Sequence, residues 1–157
     1  MGEESSGNNR KVEVVYSPAL FPVYFDNNDC VVVVIDVFRA TSAICAAFES
    51  GVDSLIPVAT LEEAIEYKKK GFKVGAERNA EIVEGFDFGN SPLTFKDNKF
   101  KNESLVLTTT NGTKALEMAK PANKVVVGSF TNFSALCDYL EKEDKDVLLL
   151  CAGWKDR

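Results

Sequence analysis

Histidine is absent from the 157 residues. Its absence removes the Ser-His-Asp triad, any His-liganded zinc centre and imidazole acid–base chemistry from this chain. Proton transfer then falls to carboxylates, cysteine, lysine, tyrosine or metal-bound water. Cysteine is sparse: Cys30, Cys45, Cys137 and Cys151 contain no C-x-x-C pair. Buried thiols in a reducing cytoplasm are the expectation for the first three. No apolar run approaches the roughly 18 residues that span a bilayer, and residues 1–11 lack the apolar centre of a secretory signal. A cytoplasmic protein with no membrane partner is therefore expected. The P-loop and dinucleotide-binding glycine patterns are also missing. Basic residues are in deficit, 18 Lys and Arg against 24 Asp and Glu, for a net charge of -6. That balance argues against extended nucleic-acid binding. It leaves a small anionic ligand open, because such a ligand feels the local field of a few cations.

What is present alternates. Residues 1–11 read as a disordered tail, and 12–157 as one α/β domain. Strands are expected at Val12–Tyr16, Cys30–Ile35, Ser54–Val58, Phe72–Ala76, Leu105–Thr109, Val125–Gly128 and Val147–Cys151. The β-branched run Cys30–Ile35 is the pattern of a strand buried on both faces. Helices are expected at Ala40–Ser50, from the capping box Thr60-Leu61-Glu62-Glu63 to about Lys70, at Thr113–Ala119 and at Asn132–Glu141. Glu77–Lys101 is long and irregular, which in a compact domain often marks function. The order predicts a three-layer α/β/α sandwich around a mostly parallel sheet, with room for a mixed edge. The strand Asp146–Cys151 is followed by only six residues, so the domain looks shortened at its C-terminus. An apolar sheet face left uncovered there favours a homo-oligomer.

In a parallel α/β sheet the carboxyl ends of the strands share one edge, where ligands bind. Polar turns follow five of the expected strands. Asp36 and Arg39 close the most buried one, as a candidate Mg²⁺ carboxylate and a candidate anion clamp; a capped helix start with a salt bridge is the plain alternative. Glu77 and Arg78 repeat the pairing. Asp87 is a third candidate carboxylate for metal. Asn90 and Ser91 suit a capped turn, and Asn90 is a candidate substrate contact. The run Thr108-Thr109-Thr110-Asn111-Gly112-Thr113 ends a strand and opens a helix. It offers hydroxyls, N–H groups and a helix dipole to an anion, so Thr110, Asn111, Gly112 and Thr113 are expected to hold phosphate. Ser129 lies in a further such turn. Cys151 and Arg157 have the C-x5-R spacing of cysteine phosphatases, but Leu150 stands where those enzymes carry His. Cys151 is thus a candidate nucleophile set against a buried strand-end thiol.

Several strings together resemble the 2-phosphosulfolactate phosphatase (ComB-like) family. They are Val34-Ile35-Asp36-Val37-Phe38-Arg39-Ala40-Thr41-Ser42, Ile56-Pro57-Val58-Ala59, Gly75-Ala76-Glu77-Arg78, Glu84 through Pro92, Thr108 through Thr113, Gly128-Ser129-Phe130 and Cys151-Ala152-Gly153. The resemblance runs from residue 12 to the end. It implies an α/β/α phosphatase that uses Mg²⁺ to hydrolyse 2-phospho-3-sulfolactate, or a related 2-hydroxy-acid phosphate, to the hydroxy acid and phosphate, as in coenzyme M biosynthesis. It also implies helices and strands beyond the Cys-Ala-Gly turn. The competing class is a non-catalytic small-anion-binding or assembly module that keeps the fold.

Overall fold

The structure, a computed structural model, describes residues 10–26, 29–79 and 81–153. Residues 1–9 of the expected tail, and Arg157 of the C-x5-R pair, lie outside the described residues. Arg10 and Lys11, expected in the tail, are held. Arg10 Nη1 donates to the carbonyls of Leu140 and Glu141 at 3.1 and 3.3 Å. The Lys11 carbonyl accepts from Val147 N–H.

The strands are β1 (Val12–Val15), β2 (Cys30–Ile35), β3 (Ser54–Pro57), β4 (Lys73–Arg78), β5 (Glu81–Ile82), β6 (Ser104–Thr108), β7 (Lys124–Gly128) and β8 (Asp146–Cys151). The helices are α1 (Phe21–Tyr24), α2 (Ala40–Glu49), α3 (Leu61–Lys69), α4 (Gly112–Ala119) and α5 (Phe133–Lys142). The single expected sheet is divided in two. One sheet has the order β1-β8-β2-β7 and is parallel throughout. The other has the order β3-β6-β4-β5, parallel except for the short antiparallel β4–β5 edge. A strand's sequence reports its burial and not its neighbour, so the division had no local signal.

Both sheets carry helices on both faces. Val32, Val34, Leu148 and Leu150 pack under Ala115 and Ala119 of α4, and α5 flanks the opposite face. In the second sheet, Leu105 and Leu107 pack with Ala43, Ile44 and Ala47 of α2, and with Phe88, Phe95 and Phe100 from the long connection. On its far side Val74 and Val106 meet Ala64 of α3. The small residues of α2 permit close approach to the sheet. Helix α3 starts as predicted: Glu63 N–H donates to Thr60 Oγ1 at 3.2 Å, and Glu63 Oε2 accepts from Thr60 N–H. Among the described residues no helix is long and apolar enough to cross a membrane.

This topology places the site. Strand β2 leads through α2 into the second sheet, and β6 returns through α4 to the first. Both crossover helices therefore begin at strand carboxyl ends, one from each sheet, and their N-termini meet. An added Cβ on Gly112 would lie 2.3 Å from Ala40 Cβ and 2.7 Å from Asp36 Oδ2. Only glycine permits that approach.

Candidate active site

Asp36 stands between the two helix starts. Its carboxylate accepts hydrogen bonds from the backbone N–H groups of Ala40 and Arg39, at the start of α2, and of Gly112, at the start of α4. Two helix dipoles thus point at one carboxylate. Burial nevertheless pushes the Asp36 carboxyl up from its ordinary value, and the charge of Glu77 adds to that rise, outweighing the backbone donors. The turn behind Asp36 is closed reciprocally: Asp36 N–H donates to Thr41 Oγ1, and Thr41 N–H to the Asp36 carbonyl, each at 3.0 Å.

The threonine-rich turn repeats that device. Thr109 N–H donates to Thr113 Oγ1, and Thr113 N–H to Thr109 Oγ1, both at 3.0 Å. Thr41, Thr109 and Thr113 are almost wholly buried. Thr110 N–H points to Glu77 Oε2 at 3.5 Å. Three of the N–H groups expected to hold phosphate are thus engaged within the chain. Gly112 N–H is spent on Asp36, Thr113 N–H on Thr109, and Thr110 N–H lies against Glu77. The turn binds the chain's own carboxylates and sets their positions. The hydroxyls of Thr41 and Thr109 were not singled out from the sequence; the Asp-x4-Thr and Thr-x3-Thr spacings were the available signal.

Glu77 and Arg78 belong to β4, which runs two residues past the expected end of that strand. The pairing Ala76↔Thr108 sets β4 beside β6. Glu77 is 8% exposed. Arg78 ties the two strand ends together, with Nη1 donating to the Glu77 carbonyl at 2.6 Å and Nη2 to Thr108 Oγ1 at 3.0 Å. Burial lowers its guanidinium pKa from the ordinary value, against the charge of Glu77. A guanidinium has five N–H donors, more than these two bonds consume. Arg39, half-buried, precedes α2 directly.

The remaining candidates sit apart. Asp87 is not brought to Asp36 and Glu77. Its Oδ2 accepts from Val74 N–H at 2.8 Å and its Oδ1 from Lys68 Nζ at 3.1 Å, beside the first half of β4. Burial opposes its ionisation, but the Val74 N–H and Lys68 outweigh this and hold its pKa below the ordinary value. Ser129 accepts from Thr131 N–H at 3.2 Å and lies 2.6 Å from the Thr131 hydroxyl, within the turn that opens α5. Cys151 pairs with Ile35 at the end of β8. Burial pushes its thiol up, an environment that disfavours the thiolate. The broad groove of about 650 Å³ on the outer face of the first sheet is lined by Val33, Ile35, Leu149, Phe133 and Leu136, and neither Asp36 nor Glu77 reaches it.

Asp36 and Glu77 are hard oxygen donors, and two buried oxygens, Asn90 Oδ1 and Thr110 Oγ1, have no hydrogen-bond partner among the described residues. Among the described residues no group of three or more His, Cys, Asp or Glu side chains converges. Mg²⁺ fits such a set, since it commonly takes one or two carboxylates and completes its shell with water and substrate phosphate.

The fold and this paired-carboxylate centre define a parallel α/β protein with a polar site at the starts of two crossover helices. The chain belongs to the 2-phosphosulpholactate phosphatase family, whose model matches residues 15–157. A Thermotoga maritima protein is 47% identical over 125 residues, covering 80% of this chain and 54% of the relative. A Caldanaerobacter subterraneus protein is 44% identical over 126 residues, covering 78% and 52%. A Clostridium perfringens protein is 39% identical over 152 residues, covering 91% and 60%. Each of the three is named a probable 2-phosphosulfolactate phosphatase. The chain spans between about half and three-fifths of the length of these relatives.

Proposed function

We propose that this chain carries the carboxylate centre of a Mg²⁺-dependent phosphatase that hydrolyses 2-phospho-3-sulfolactate, or a related 2-hydroxy-acid phosphate, in the cytoplasm. Family membership and the names of the relatives support the reaction class. The observation that carries the reading is the meeting of Asp36 and Glu77, from two different sheets, at the touching N-termini of α2 and α4. Burying two carboxylates together is unfavourable unless a cation or proton joins them. Mg²⁺ bound there supplies neutralisation of phosphoryl charge and polarisation of a phosphoryl oxygen.

The chain's own residues supply the rest. The N–H groups of Ala40 and Gly112 orient the Asp36 carboxylate, and the Thr110 N–H orients Glu77. Arg39, and the donors of Arg78 beyond its two internal bonds, hold the carboxylate and sulfonate of the substrate and the charge that develops on the phosphoryl group. The raised pKa of Asp36 suits it to hold or pass a proton when no cation is present. Sulfolactate as the product is the basis for the proposed place in coenzyme M biosynthesis.

The test is phosphate release from 2-phosphosulfolactate, with Mg²⁺ and with EDTA, by the chain and by its Asp36→Asn variant. Mg²⁺-dependent release that falls by at least about 100-fold in Asp36→Asn, several kcal/mol of transition-state stabilisation, is the expected result. Saturable binding of sulfolactate or phosphate with no turnover would instead assign a non-catalytic anion-binding module.

A further inference from the structure

Asn90 is 4% exposed, and no described residue donates to its Oδ1. An unpaired buried amide oxygen is destabilising, and such groups in native proteins call for a specific explanation. Its position supplies one. Phe88 bridges Gly75 in parallel register, with Ala76 N–H donating to the Phe88 carbonyl at 3.1 Å. The Phe88 ring occupies the space a Gly75 side chain would fill: a Cβ there would lie 2.2 Å from the ring. Phe88 packs with Ala43, Ile44 and Ala47, on the face covered by α2. Alternation along an extended chain puts Glu77, two residues after Gly75, on that face. Asn90 lies in a bend two residues after Phe88. Gly89, between them, is pressed against Ile82, where a Cβ would lie 2.5 Å from its Cγ1, and Ile82 is the strand partner of Glu77. Two close approaches, each open only to glycine, thus hold Phe88 and Gly89 against β4 and β5, and Asn90 follows directly on the residue packed against the strand partner of Glu77.

An amide oxygen accepts and cannot donate, so it does not face phosphate, sulfonate or carboxylate oxygens. It faces a donor or a cation. The acidic groups at this end of the sheets, Asp36 and Glu77, lack a third acidic ligand among the described residues, and hard divalent cations accept Asn carbonyl oxygens. We infer that Asn90 Oδ1 is a neutral oxygen ligand of the cation held by Asp36 and Glu77. Thr110 Oγ1, the second buried oxygen without a partner, lies beside Glu77 through its own N–H and is available to a cation-bound water.

The inference rests on the cation reading above, and the experiment separates the two. Mn²⁺ alone is titrated into the 157-residue chain and followed by electron paramagnetic resonance. The titration is repeated with Asn90→Ala, Asn90→Asp and Asp36→Asn, and circular dichroism melts without metal report folding. The expected result is a Kd raised at least about tenfold in Asn90→Ala and restored or tightened in Asn90→Asp, with metal-free melting no lower in Asn90→Ala, which loses an unsatisfied group. Wild-type affinity in Asn90→Ala, with weakened binding in Asp36→Asn, would overturn the role of Asn90 and leave the cation site standing. Equally poor binding by Asn90→Asp and Asn90→Ala would also overturn it. Failure of the unaltered chain to bind Mn²⁺ would overturn both readings.

Discussion

Replacing Gly112 by alanine adds one methyl group where α2 and α4 touch. The new Cβ would sit 2.3 Å from Ala40 Cβ and 2.7 Å from Asp36 Oδ2. Carbon atoms pack at about 3.5–4.0 Å, so one helix start must retreat by roughly 1.2 Å or more. The neighbour is a backbone-proximal methyl, not the far end of a flexible chain, and it cannot swing aside. Overpacking of this kind costs about 1–3 kcal/mol, and alanine returns up to about 1 kcal/mol of helix propensity. A net loss of about 1–2 kcal/mol lowers Tm by roughly 2–8 °C for a chain of this size. The functional loss is larger than the stability loss, because the retreat pulls Gly112 N–H from Asp36, and an error of about 1 Å in a catalytic geometry costs on the order of 100-fold. Calorimetry and Mn²⁺ titration read the two effects separately. The double variant Ala40→Gly, Gly112→Ala removes the 2.3 Å contact and keeps the 2.7 Å one, so it recovers melting but not cation affinity. A Gly112→Ala chain with unaltered Tm and unaltered Mn²⁺ affinity would refute the packing of the two helix starts around Asp36.

Three further outcomes follow from the same geometry. Asp36 has its folded pKa raised, so the stability its protonated form contributes is present at low pH and is lost as pH rises through that pKa; Asp36→Asn should melt higher than the parent at neutral pH, the gap closing as pH falls, while added Mg²⁺ should raise Tm of the parent alone. Asp87 has its folded pKa lowered, so its contribution is present at neutral pH and is lost on acidification through that pKa. Asp87→Ala, which leaves Val74 N–H without its acceptor, should cost about 1–2 kcal/mol in urea unfolding with Mn²⁺ affinity unchanged. Cys151→Ala should keep at least half of any phosphatase activity, and iodoacetamide should react slowly with Cys151; abolished turnover or a trapped phosphocysteine would make Cys151 a nucleophile.

Much of the architecture was legible because it is written locally. The β-branched run 30–35 is a central strand, the Thr60–Glu63 box caps α3 bond for bond, and the polar turns after β2, β4 and β6 do gather at strand ends. What was not legible is non-local. Nothing in Lys124–Gly128 states that its partner is β2 and not a strand of the second sheet. Helix α1 is four residues long and β5 two, too short for any period to register. Asp87 looked like a ligand because it is acidic and lies in a glycine-rich loop; only the fold reveals that Val74 N–H and Lys68 claim it. The donors of the threonine turn, taken from sequence alone, suggest an anion site. The sequence could not disclose that two carboxylates, Asp36, 76 positions before Gly112, and Glu77, 33 positions before Thr110, meet those N–H groups from within the chain.

On the proposed reading, the turn's N–H groups hold Asp36 and Glu77 for a cation. Amide chemical shifts of residues 110–113, recorded by nuclear magnetic resonance while Mg²⁺ and inorganic phosphate are added separately, address it directly. Mg²⁺ alone should shift Thr110 and Gly112, whose N–H groups touch the two carboxylates, and phosphate alone should leave them unmoved. Shifts of Thr110, Gly112 and Thr113 with phosphate alone, and none with Mg²⁺, would contradict the account and return the turn to an anion site.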